Sequence, residues 1–213
     1  MASILVIGAS RGIGLETVKA ALAAGHEVRA LARSAPTIPI TDPKLTKITG
    51  DACVRDEVIA AVQGVDAVTY AAGVTNPSTL VFGTTLFSDS TRILVDAMQT
   101  ANVRRLMMVT GAGAGNSRGR INFLYDNLIF PALLQRVYAD KDIAEDIVMK
   151  SNLDWTIVRP GLLTNRPVTG RYKVLTEMKD WRGGFISRAD VADFLVKHLD
   201  DPAFFGTTPL LTD

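Results

Sequence analysis

The chain has one cysteine, two histidines and almost no net charge, and each shortage removes a class of function. A lone Cys53 in 213 residues rules out an internal disulfide and a cysteine-built zinc site, and suits a reducing compartment. His26 and His198 lack metal-ligand spacing, so no metal site is expected. A net charge of +1 provides no broad field to recruit nucleic acid or an anionic membrane. Any anion must therefore be held by a local site. No apolar stretch reaches the roughly 18 residues of a membrane span. Met1 leads into an apolar run without the basic segment of a signal peptide. The chain reads as a cytoplasmic globular protein with neither nucleic-acid nor membrane partners.

What the sequence does contain is alternation. Apolar runs at 4–7, 28–31, 45–49, 67–70, 106–110 and 156–158 read as strands. They are nearly continuous in Val, Ile, Leu and Ala, as expected where helices cover both faces of a parallel sheet. Helical periodicity occupies 13–24, 56–62, 90–101, 131–150 and 189–199 between and after them. Gly25 sits where a C′ glycine ends the first helix. Ser187 and Asp190 have capping-box spacing before the last, whose Val191, Phe194, Leu195, His198 and Leu199 share one face. The pattern predicts an α/β fold, a doubly wound, mostly parallel sheet in a single domain over 1–213. Segments at about 111–127 and 161–186 are irregular, and both follow strand ends where ligands bind in such sheets.

Gly8-Ala9-Ser10-Arg11-Gly12-Ile13-Gly14 links the first strand to the first helix. In that setting Gly8 permits the turn, Gly12 lets backbone approach a pyrophosphate, and Gly14 lets helix and strand pack closely. The helix N-terminus offers free N–H groups and a positive dipole end. Ser10 reads as a turn hydroxyl, since no G-x-S-x-G motif surrounds it. The second strand ends Ala30-Leu31-Ala32-Arg33, with no acid to hold the ribose hydroxyls of NAD. Arg33, with Arg11 opposite, suits a 2′-phosphate, so NADP(H) is expected rather than NAD(H).

On these residues the chain resembles the short-chain dehydrogenase/reductase superfamily in its atypical NAD(P)-binding branch. That branch includes NmrA-like proteins and the biliverdin reductase B and flavin reductase group. The likeness runs through the glycine turn, Gly50-Asp51, Ala71-Ala72-Gly73 and Thr156-Ile157-Val158-Arg159-Pro160-Gly161. It implies a Rossmann fold, with Asp51 and Ala52 at the adenine and Ala71, Ala72 and Gly73 along the adenine ribose and pyrophosphate. Pro160 and Gly161 would flank the nicotinamide, and a homodimer is a further family expectation.

The chain departs from the family at its chemistry. The usual Tyr-x-x-x-Lys pair lets lysine lower the tyrosine pKa for proton exchange with a carbonyl or alcohol. Here no tyrosine has lysine four residues later. Lys141 stands where the family lysine is expected, Val137 occupies the tyrosine position, and Tyr138 is three residues from Lys141. Lys141 is assigned to the nicotinamide ribose. The proton donor is left among Thr110, Tyr138 and water, with an ordinary strand-end threonine and a packing tyrosine as the alternatives. Asp140, Asp142, Glu145 and Asp146 are expected on a solvated helix face, and Cys53 in the core.

Phe123, Tyr125, Phe130, Met178 and Trp181 fall in or beside the irregular segments. Folded over the nicotinamide, they would make an apolar pocket for a small planar or hydrophobic carbonyl, quinone or flavin. Otherwise they complete the core. The functional expectation is an NADPH-dependent reductase of a small-molecule substrate. The alternative is a non-catalytic redox sensor or assembly factor of the NmrA-like kind. A sugar-nucleotide epimerase is disfavoured, because the usual pair and a long C-terminal substrate domain are missing.

Overall fold

Strands so uniformly apolar need a covering on both faces, and the fold supplies it. The computed structural model describes residues 1–74, 79, 82–115, 135–181 and 183–213. Its strands are β1 (Ser3–Ile7), β2 (Glu27–Ala32), β3 (Leu45–Thr49), β4 (Ala67–Tyr70), β5 (Arg105–Val109), β6 (Asp154–Pro160), β7 (Leu162–Thr164), β8 (Lys173–Leu175), β9 (Phe185–Ser187) and β10 (Leu210–Thr212). Eight form one sheet in the order β3-β2-β1-β4-β5-β6-β10-β8, parallel except for the antiparallel edge strand β8. β7 and β9 pair in a separate parallel ribbon. This is a Rossmann-like doubly wound sheet. Its order reverses at β1, with β2 on one side and β4 on the other, opening a crevice at the carboxyl ends.

Among the described residues, these helices flank it: α1 (Gly12–Ala23), α2 (Arg55–Val62), α3 (Leu86–Thr100), α4 (Gln135–Met149) and α5 (Arg188–Lys197). Alternate residues of β1 serve opposite layers. Leu5 and Ile7 pack with the side chains of α2, α3 and α4, and Ile4 and Val6 with those of α1 and α5. α5 buries Val191, Phe194 and Leu195, with Leu199 just beyond it, each worth about 1.5–3 kcal/mol as apolar burial. Gly25, at φ +85°, ends α1 in a Schellman turn, its N–H donating to Leu22 O while His26 N–H donates to Ala21 O.

Three departures from the sequence reading have local causes. β7 to β10 have three residues each, too short to show a period. α3 begins four residues before the expected start at Ser90. The Asp140 carboxylate of α4 accepts the N–H groups of Phe87 (2.8 Å) and Ser88, capping a helix far away in sequence. And α4 does not turn a solvated acidic face outward: Asp140 and Glu145 are buried, and Asp142 accepts Gly115 N–H at 2.7 Å. Of the four acids, Asp146 is exposed, near Lys150. Phe123, Tyr125 and Phe130, and residues 116–127 of the first irregular segment, lie outside the described residues. Among the described residues no helix is long and apolar enough to cross a membrane.

Candidate functional site

The glycine turn is built by close approach. A Cβ on Gly8, at φ +82°, would lie 2.6 Å from Ala71 O, and one on Gly14 would lie 2.2 Å from Gly8 O. Backbone stands on both sides, so neither position admits a side chain without moving β1, β4 or α1. Gly8 N–H also donates to Leu31 O, fixing the turn against the end of β2. The result is a cleft of about 600 Å³ along the carboxyl edge of the sheet. Gly8, Ser10, Arg11, Gly12 and Ile13 line it, whereas Gly14 acts behind the wall.

At one end, Arg33, Asp51 and Ala52 line the cleft from β2 and the turn after β3. Arg33 Nη1 is 4.0 Å from Asp51 Oδ2, and both side chains are well exposed. Asp51 also accepts Cys53 N–H at 3.0 Å. Cys53 is exposed here, not in the core as its size suggested, because it sits in the polar turn between β3 and α2. Ser34 Oγ donates to Ser10 Oγ at 2.9 Å, joining the two turns. Ala71, Ala72 and Gly73 continue the wall past β4.

At the other end, Thr110, Tyr138, Lys141, Pro160 and Gly161 meet. Lys141 Nζ donates to Thr110 O at 2.6 Å and lies 4.7 Å from the Tyr138 ring centre and 5.1 Å from that of Phe87. Burial pulls its pKa down to about 8, against the opposing pull of the Glu145 carboxylate. Tyr138 Oη is 2.9 Å and Lys141 Nζ 3.8 Å from the point a Cβ on Gly111 would occupy. Phenol and amine therefore reach one spot although their spacing is three, not four. Val137 turns into the core.

Behind them is a buried ionic network. The Thr110 hydroxyl donates to Glu145 Oε1 at 2.6 Å, and Arg159 grips Glu145 through Nε (3.1 Å) and Nη2 (2.6 Å). The Arg159 and Glu145 side chains are 2% and 1% exposed. The Thr110 hydroxyl is thus turned onto a buried carboxylate. Trp181 takes the core alternative: it packs with Ala112 and Leu210, and its Nε1 donates to Leu175 O. Met178 begins a short 3-10 turn on the way to it.

Sequence reasoning missed Asn165 and Arg188, which also line the cleft. An arginine opening a helix carries no local signal; it enters the site because α5 packs against α1. His26 and His198 are structural, accepting Ala2 N–H and pairing with Asp201 respectively.

Comparison with known proteins agrees with this geometry. Residues 8–202 match a family described as NAD(P)H-binding. An uncharacterized sugar epimerase of Bacillus subtilis, YhfK, is 34% identical over 147 residues, covering 68% of this chain and 62% of that protein. An uncharacterized chloroplastic protein of Arabidopsis thaliana is 30% identical over 205 residues, covering 92% and 71%. The structure of ChuY, an anaerobilin reductase of Escherichia coli, superposes with a TM-score of 0.79 at 26% identity, over 99% of this chain and 96% of that one. A Veillonella parvula short-chain dehydrogenase/reductase solved with NADP has the same fold, with a TM-score of 0.84 at 22% identity over 100% and 94%. The chain belongs to the NAD(P)H-binding family.

Proposed function

We propose that the chain is an NADPH-dependent reductase that delivers hydride to a small planar or apolar acceptor: a carbonyl, a quinone, a flavin or a tetrapyrrole. The observation that carries this is the convergence of Tyr138 Oη and Lys141 Nζ at Gly111, in the same cleft as the glycine turn. The anaerobilin reductase activity named for ChuY supports the planar class of acceptor.

When bound, the reduced nicotinamide supplies the hydride. The chain holds and orients. Arg33 and Arg11 take the 2′-phosphate, Asp51 and Ala52 the adenine, and Lys141 the nicotinamide ribose, while Pro160 and Gly161 back the ring. Tyr138 gives the acceptor its proton and is reprotonated from solvent through the cleft. The nearby ammonium favours the tyrosinate this leaves, as the family pair does with different spacing.

The test is NADPH oxidation across a panel of quinones, flavins, aldehydes and linear tetrapyrroles, with wild type, Tyr138→Phe and Lys141→Met. Tyr138→Phe should lower kcat by about 10²–10⁴-fold, the usual worth of a positioned proton donor. Burial of Val137 in the tyrosine position favours a second reading, a non-catalytic redox sensor. Tight NADPH binding with no turnover on any acceptor would establish that reading instead.

A further inference from the structure

Arg188 is a half-buried cation on the cleft wall, and among the described residues no carboxylate pairs with it. Its Nη1 donates to Asn165 Oδ1 at 2.7 Å. Its Nε lies 3.9 Å from where a Cβ on Gly12 would stand. Gly12 is the first residue of α1, so the guanidinium faces the free N–H groups and positive end of that helix. Two positive features this close repel unless an anion lies between them. Arg33 differs, having Asp51 beside it.

Arg188 is also tied to the segment after β6. Asn165, its partner, follows β7 directly. Two residues beyond Arg188, Asp190 Oδ1 accepts the N–H groups of Thr169 (2.7 Å) and Gly170 (2.9 Å). Both ends of 165–170 are therefore fastened to the first turn of α5, one through the guanidinium that faces Gly12.

We infer that Arg188 clasps the dinucleotide pyrophosphate from the side opposite α1, and through Asn165 fastens residues 165–168 when the cofactor is bound. This rests on the dinucleotide reading of the cleft. A guanidinium fork matches two phosphate oxygens, and its planar donors can hold Asn165 at the same time.

The experiment titrates NADPH and NADH, by nicotinamide fluorescence, into wild type, Arg188→Ala, Arg188→Met, Arg188→Lys and Arg33→Ala. Amide exchange of 165–168 is followed with and without NADPH. Because the pyrophosphate is common to both nucleotides, Arg188→Ala and Arg188→Met should weaken both by the same factor, about tenfold or more. The preference between nucleotides should stay unchanged. Arg33→Ala should change that preference. Arg188→Lys should recover part of the affinity, and NADPH should protect 165–168 in wild type but not in Arg188→Met. Arg188→Met keeps the aliphatic stem, so a fold defect peculiar to alanine does not decide the result. Unaltered affinity in the Arg188 variants overturns the inference, as does a changed preference, which would move Arg188 to the 2′-phosphate. Failure of wild type to bind either nucleotide overturns the dinucleotide reading itself, and the clasp with it.

Discussion

Replacing Glu145 by Gln isolates the charge at the centre of the buried network. The substitution keeps shape but exchanges one acceptor oxygen for an NH2 donor, and leaves the Arg159 guanidinium, 2% exposed, without the carboxylate it holds through Nε and Nη2. Breaking a buried pair from one side costs about 3–5 kcal/mol, because a desolvated charge is left uncompensated. At about 2–4 °C per kcal/mol for a chain of this size, the thermal midpoint should fall by roughly 6–20 °C. Calorimetry or far-UV circular dichroism at neutral pH reads it. The companion variant, Glu145→Met with Arg159→Met, removes both charges. Thr110 then loses an acceptor, at about 1–3 kcal/mol, but no charge is stranded, so it should melt above the single variant. A single variant within about 2 °C of wild type would refute the reasoning, because a stranded charge should cost at least about 3 kcal/mol. So would a double variant melting below the single one, since the loss would then lie in packing rather than charge.

Five further outcomes are expected. With Lys141 held near 8 rather than its usual 10.5, an amine-directed acylating reagent should label it with a midpoint near pH 8, with protection by NADPH. Labelling that follows ordinary surface lysines would remove it from the buried site. Between pH 8 and 10.5 the unfolded chain keeps a proton that the folded chain has lost, so this residue makes stability rise with pH across that window. Arg33→Ala should cut the preference for NADPH over NADH by about tenfold, the value of one charge-assisted bond after solvent screening, in paired fluorescence titrations. Gly14→Ala puts a methyl 2.2 Å from Gly8 O and should destabilise by at least about 1–3 kcal/mol in denaturant melts, with loss of nucleotide binding. Asp190→Ala removes the α5 cap partner of Ser187 and the acceptor for Thr169 and Gly170, so limited proteolysis should speed up within 165–172.

The parts of the site that were legible in the sequence are those set by adjacency along the chain. The glycine turn declares itself because strand, turn and helix are contiguous, and Asp51, Ala71 and Pro160 reach the cleft because each lies at or just past the end of a strand. The Ser187 cap was readable for the same reason, and its hydroxyl accepts Asp190 N–H. What was not legible depends on elements meeting across the fold. Four acids within seven residues look like a wet helix face until one is found capping another helix and one is found under an arginine from β6. Arg188 could not be placed until α5 lay against α1. The bond from the Thr110 hydroxyl to Glu145 is likewise a consequence of α4 crossing the end of β5.

The fastening of 165–170 also bears on redesign. Its posts, Asn165 on Arg188 and Thr169-Gly170 on Asp190, leave Arg166, Pro167 and Val168 as an exposed span between anchors. Libraries that randomise these three positions would vary an exposed span next to a cleft-lining residue while both attachment points stay native. Grafts that carry away Asn165 or Thr169 would exchange a sequence and cut a mooring at once, so this span is best diversified between the posts.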